Sequence, residues 1–402
     1  MPKILITGNG FDLSFGLPTS YNEFINILNS LNSYEDAGFD NIYSHSNNFE
    51  KLTEYYKKFD FDLEKMEKLR LYIKDNLWFQ FFKNELEIET WIDFENKIEY
   101  VLNILFSSIN YIKENIFSKG SLSENNITYN TKLFNNDIEI IQVLKSFNII
   151  SLDNNYTITL NVEYFTKKYD FFINVDISAI TKKLTEELNI FKRIFNLYFE
   201  VFVYPFYENP KKRFDRTLFS TISNHYTFNY TPTFEKIYKR INKTKFLHGK
   251  IDSLSNEIVL GINEIPNDDL DKRFFLPFTK YFQKLNNSTD FEFITEYEKR
   301  KNSNFYFFFF GHSLDSSDAD YINEVFDFIN QSKSKRKKII IIYHCKKSKS
   351  QLLINLLNIR GKKDIQTLMR NKFLDFHHID SKELKTELKR DISPPSPSIS
   401  VI

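Results

Sequence analysis

The chain is 402 residues long, 42% hydrophobic and 27% charged, with 54 Lys and Arg against 53 Asp and Glu and a formal net charge of +1. That balance excludes a global pull toward polyanions, so binding to nucleic acid or an anionic membrane would need a local patch. The single cysteine, Cys345, excludes an internal disulfide and a zinc site built on paired thiolates.

The length exceeds one average domain and predicts two domains, or a core carrying a large insertion. The first apolar run, Ile4-Leu5-Ile6, reads as a buried strand. It breaks on Gly8, Asn9 and Gly10, and Gly16, Leu17 and Pro18 precede a helix entry at Thr19-Ser20. From residue 31 to 140, apolar residues recur three and four apart, as in "FQFFKNELEIETWIDFENKIEYVLNILF", which predicts amphipathic helices. The stretch "NIISLDNNYTITLNVEYF" alternates around Asp153-Asn154-Asn155 and predicts a hairpin near 147–172. An aromatic helix, "ELNIFKRIFNLYFEVFVYPF", follows and ends near "ENPKKRFD".

Strand signals return at "TLFSTISNHYTFNY", "TKFLHGKI", "EIVLGI", "NFYFFFFGHSL" and "KKIIIIYHC", with helical stretches between some of them. Alternation of this kind predicts an α/β fold with a mainly parallel sheet. The expected division is a core of residues 1–30 and 215–390, a mostly helical insertion over 31–214, and a disordered Pro/Ser-rich tail over 391–402. Gly, Asn and Asp interrupt the apolar start, so no signal peptide is expected. The runs "FYFFFF" and "IIIIY" fall well short of the ~20 residues of a spanning helix. A soluble, cytoplasmic protein with no membrane partner is the expectation. The 43 Phe are taken as coding bias rather than a stacking platform, and "SKSKRKK" as a solvated loop.

Candidate chemistry lies where strands end. A G-x-G after a strand lets backbone N–H groups approach a phosphate, although Leu13 stands where a G-x-G-x-x-G fingerprint has its third glycine. Asn229 follows one strand, His248 ends the next, and Gly311 and Ser313 follow a third. In a parallel sheet these groups converge on one rim with Gly8 and Gly10. Taken singly, each has a plainer reading: a tight turn, a helix cap, a core histidine. Asp318 and Asp320 read as helix-start carboxylates.

The series "GNGFDLSFGLPTSY", "WIDFE", "FNYTPTFEKIY", "LHGKI", "VLGINE" and "GHSLDSSDADYI" resembles the bacteriophage abortive-infection family AbiH, from residue 3 to about 345. More distantly, the same order resembles sirtuins and sirtuin-like NAD hydrolases. The resemblance implies a Rossmann-like, sirtuin-like core and NAD+ as substrate, cleaved to nicotinamide and ADP-ribose. It implies that Gly8, Asn9 and Gly10 approach the pyrophosphate with Asp12 beside them. It implies further that Asn229 holds the nicotinamide-side ribose and a water, that His248 is the general base toward a ribose hydroxyl or that water, and that Gly311 and Ser313 face the adenosine half. Trp91, Asp93 and Glu95 fit the family's pattern, Glu95 as a group that reaches the rim from the insertion. Asp12 and Thr231 depart from the sirtuin pattern, which has Ser and Asp there, and no four-cysteine module is present.

Two rival readings stay open. "FFFFGHSLD" is close to a nucleophile elbow, with Ser313 as nucleophile and Asp375 with His377 or His378 as triad partners, though Asp315 replaces the elbow's glycine. The other is a non-catalytic module that senses a nucleotide or a phage protein. The partners expected are a nucleotide, a phage-encoded trigger and, left open, a second copy of the chain; no specific nucleic acid is expected.

Overall fold

The computed structural model describes residues 2–33, 38–44, 61–85, 91–207, 218–238, 244–251, 258–265, 271–287, 293–294, 297–298 and 303–390, and the statements below concern these. The tail over 391–402 lies outside them. Strand β1 spans Lys3–Thr7, β2 Thr128–Asn130, β3 Ile150–Leu152, β4 Thr157–Leu160, β5 Phe165–Lys168 and β6 Phe171–Val175. Then come β7 at Asn224–Thr227, β8 at Thr244–Phe246, β9 at Phe305–Phe310, β10 at Lys337–Tyr343 and β11 at Leu374–His378. The chain divides into two compact units, one of residues 1–19, 203–251 and 287–402 and the other of 20–202 and 252–286.

The first unit is α/β. Its six strands lie in the order β11-β10-β9-β1-β7-β8, and each pairing is parallel. Parallel sheets bury both faces, and the sequence obeys: every residue of β1 and β9 is buried. On one face Ile4, Ile6, Phe305, Phe307, Phe309, Ile339 and Ile341 pack with Val325, Phe326 and Ile329 of the helix Ala319–Gln331 and with Leu352 and Leu356 of the helix Lys346–Arg370. Arg360 ties these two helices, donating to Asn323 at 2.8 Å and Asp327 at 2.7 Å. On the other face buried Lys3 donates to the backbone carbonyls of Glu387 and Leu388, holding the end of the helix Lys382–Lys389 against the sheet.

Read in chain order, the six strands run 3-2-1-4-5-6 across the sheet. The order reverses between β1 and β9, and a crevice outside the carboxyl ends is the usual consequence there. The register sets Thr7 beside Phe310, so the turns after β1 and β9 leave the sheet side by side. Thr7 Oγ1 also lies 2.9 Å from His225 Nε2 and donates to Thr227 Oγ1 at 2.9 Å. Burial drives the His225 pKa down to about 3, so this imidazole is a neutral cross-strand link.

The second unit is mostly helical, with a core of aromatic rings. Phe24, Phe82, Phe94, Phe191, Phe195 and Tyr198 are all fully buried or nearly so, and Phe82 and Phe94 have centroids 4.2 Å apart. Its small strands form β2-β4-β3 and β5-β6, antiparallel throughout, and β3 and β4 make the hairpin around Asp153-Asn154-Asn155. The "EIVLGI" segment joins no ladder: its one pairing among the described residues is an isolated bridge from Ile262 to Thr279. Gln283 satisfies that segment instead, accepting from Leu260 N–H at 3.0 Å and donating to Leu260 O at 2.9 Å. No helix among the described residues is long and apolar enough to cross a membrane.

Candidate functional site

The turn after β1 is built by backbone contact. Gly8 N–H donates to Phe310 O at 3.2 Å, and Gly10 N–H donates to Gly311 O at 2.8 Å. A Cβ on Gly8 would stand 2.7 Å from His312 Cα, and one on Gly10 2.8 Å from Gly311 Cα. Gly311 has φ +68, and a Cβ there would stand 2.0 Å from Phe11 N. These glycines therefore let two loops touch main chain to main chain, and the Gly10 donor is engaged by protein. Asn9 Nδ2 donates to Thr19 O at 3.0 Å, fixing the far side of the turn.

Asp12, on the short helix Asn9–Ser14, is 1% exposed. Its Oδ2 accepts from Thr231 Oγ1, while Oδ1 has no hydrogen-bond partner. Burial raises its pKa from 3.8 to about 7, against the smaller opposing pull of the polar side chains of Thr231, Thr233 and Asn229 beside it. Thr233 Oγ1 donates to Thr231 Oγ1 at 3.1 Å, and the Tyr207 hydroxyl lies 2.7 Å from Thr233 Oγ1. Burial first, and the Asp12 charge second, push the Tyr207 phenol well above its usual range. Asn229 reaches back across the rim: its Nδ2 donates to Gly8 O at 3.0 Å and its backbone N–H to Thr227 Oγ1 at 3.0 Å. The Asn229 side chain and the glycine turn are thus joined directly, as convergence of strand ends in a parallel sheet predicts.

His248, just past β8, is 6% exposed. Its Nε2 lies 3.4 Å from Asp318 Oδ1, and His312 Nε2 lies 3.3 Å from Asp318 Oδ2. Phe228 sets an edge against each imidazole, with centroids 5.2 Å from His248 and 4.2 Å from His312. Asp318 makes no side-chain cap bond to the helix it precedes. Asp315 does the local capping instead, accepting from Ser317 N–H at 3.0 Å. The sequence reads Asp318 as a helix-start carboxylate and gives His312 no role, because both sit within a stretch, "GHSLDSSD", that a turn and a helix start explain. The signal was there in principle: two imidazoles and a carboxylate in segments that follow strands of one parallel sheet, β8 and β9.

Ser313 is exposed, and its carbonyl accepts from Asn355 Nδ2 at 2.9 Å. The positive φ of the segment falls on Gly311 and on Leu314 (φ +54) rather than on Ser313, where a nucleophile elbow carries its strain. Asp375, the acid that reading would draw on, has Oδ2 2.5 Å from Lys338 Nζ. Asp375, His377 and Glu387 bring one ligand atom each within 4.8 Å of one another. However, Lys338 and Arg390 lie 2.8 and 3.1 Å from Glu387 Oε1, so lysine and arginine already neutralise these two carboxylates. The group is an ion-pair knot under the sheet.

In the second unit Glu95 Oε2 lies 2.7 Å from Lys280 Nζ, with both side chains largely buried. That pairing is an internal one of the helical unit. The Trp91 side chain lies outside the described residues, and Asp93 is half-buried. A surface cavity of about 400 Å³ lies in the same unit, lined among others by Ile177, Thr181, Thr185, Asp271, Arg273 and Pro277, and none of its lining residues is one that sequence reasoning singled out.

The chain belongs to the bacteriophage abortive infection AbiH family, whose model matches residues 4–343. The match covers β1 through β10 and takes in Gly8, Asn9, Gly10, Asp12, Asn229, His248, Gly311 and Ser313. No curated protein and no solved structure matches the chain.

Proposed function

We propose, from membership of the abortive-infection family, that the chain acts against phage through a Rossmann-like, sirtuin-like sheet whose rim binds NAD+ and hydrolyses its nicotinamide–ribose bond. The observation that carries this reading is the gathering of the glycine turn, Asn229, His248 and Gly311 at strand carboxyl ends where a 3-2-1-4-5-6 order reverses. In this reading Gly8, Asn9 and Gly10 line the pyrophosphate, and Gly311 and Ser313 face the adenosine half. Asn229 holds the ribose and a water, with its amide oriented by the Gly8 carbonyl. The C1′–N bond breaks and nicotinamide leaves with the bonding pair. The water oxygen bonds to C1′, and its proton passes to His248 and then to solvent, leaving ADP-ribose. The transition state is oxocarbenium-like, so positioning and electrostatics do most of the work. Burial raises the Asp12 pKa to about 7, so near neutral pH this partly protonated carboxyl repels a pyrophosphate less than a fully ionised one would.

A second reading, a nucleotide sensor that does not turn over, is favoured by one observation: the Gly10 donor and the Asn229 amide are already satisfied by protein. Both readings take a phage-encoded component as trigger. The deciding experiment follows cellular NAD+ during infection of cells expressing wild type, Asn229→Ala or His248→Ala. Hydrolysis predicts a fall in NAD+ with wild type alone, together with loss of protection in both variants. Protection with NAD+ intact would select the sensor.

A further inference from the structure

His312 and Asp318 stand beside the proposed general base, and no role has been given to either. His312 Nδ1 accepts from Leu314 N–H at 2.8 Å. A backbone N–H can only donate, so the His312 proton resides on Nε2, 3.3 Å from Asp318 Oδ2. The other oxygen of the same carboxylate faces His248 Nε2 at 3.4 Å. Neither Nε2 makes a hydrogen bond to Asp318, so the carboxylate acts on the rings through its charge, which favours the His248 proton on Nε2, the nitrogen that faces it, over Nδ1. Phe228, packed against both rings, and Tyr321, 5.2 Å from Phe228, wall the group on the apolar side. Titratable groups nearby among the described residues include Tyr230, tilted against His248 at 6.4 Å, and Tyr321, whose phenol is pushed up by burial first and then by Asp318, Glu324 and Asp320.

We infer that Asp318 is the positioning residue of the site: it fixes His248 in the Nε2–H tautomer so that Nδ1 is the proton-accepting atom, while His312 holds the carboxylate in place from its other oxygen. The pattern is base and orienting acid, as in the logic of catalytic triads, built here from the ends of β8 and β9. The chemistry rests on the hydrolysis reading above; the tautomer does not.

The test uses the full chain labelled with ¹⁵N-histidine, with the two resonances assigned through His248→Gln and His312→Gln. In the wild type both rings are expected as Nε2–H tautomers. In Asp318→Asn, whose carboxamide presents an oxygen to one ring and an NH2 to the other, one ring is expected to lose that preference. In a parallel assay of nicotinamide release, Asp318→Asn is expected to lower turnover on the order of 100-fold and to distort the pH–rate limb of His248. Adding His248→Ala to it should cost little more. A wild-type His248 that carries its proton on Nδ1 overturns the inference without reference to any variant, as does an unchanged tautomer in Asp318→Asn. Tautomers that behave as expected in a protein releasing no nicotinamide would uphold the positioning role and remove the hydrolysis reading.

Discussion

The two units treat buried charge differently. In the helical unit it is answered locally: Glu95 meets Lys280 at 2.7 Å, and Glu187 accepts from Asn76 Nδ2 and Leu77 N–H, both at 3.0 Å, while Lys183 lies 2.9 Å away. Lys192, whose pKa burial lowers to about 8, still donates to Gln283 at 2.7 Å. On the rim of the sheet unit no lysine or arginine is seen against the carboxylates of Asp12 and Asp318 among the described residues. Asp12 keeps one oxygen without a hydrogen bond, and Asp318 faces two imidazoles at 3.3 and 3.4 Å. A buried carboxyl held near its titration point, as Asp12 is, suits proton chemistry better than a fully paired one.

The largest expected effect is on that contrast itself. The Asp12 pKa is raised by folding, so its contribution to stability is full below pH ~4 and is lost as pH rises through about 7. Over three pH units this amounts to about 4 kcal/mol. Denaturant titrations from pH 4 to 8 should show wild type losing stability relative to Asp12→Asn, whose own profile lacks this component; parallel profiles would refute the assignment. Next, Gly311→Ala forces a side chain into φ +68 and against Phe11 N, and should cost about 3 kcal/mol while separating the two turns of the rim. Urea melts measure it. In the helical unit, Glu187→Ala strands the Leu77 N–H donor, while Asn76 Nδ2 keeps the Glu187 backbone carbonyl at 2.7 Å, and should cost about 2 kcal/mol. The smallest change is Arg360→Ala, about 1 kcal/mol, because its partner Asp327 is half exposed.

Much of the sheet was legible because central parallel strands are apolar on both faces: β1, β9 and β10 announce themselves as unbroken runs. β11 did not, since "LDFHH" lies at the sheet's edge, where polar side chains are tolerated. "EIVLGI" misled in the opposite direction: its apolar residues are buried, but side-chain amides of Gln283 rather than a neighbouring strand satisfy its backbone. At the site, Asn229 and the glycines were legible from their place after strands. Asp318 and His312 were not, because local capping explains the same letters and only the fold brings His248 to them.

The most direct test of the account is nicotinamide release from NAD+ by purified full-length protein, supplied with lysate of phage-infected cells, beside Asn229→Ala and His248→Ala. The account predicts release by the wild type and near-complete loss in both variants. Undiminished release by Asn229→Ala, or none by folded wild type in infected lysate, would contradict it.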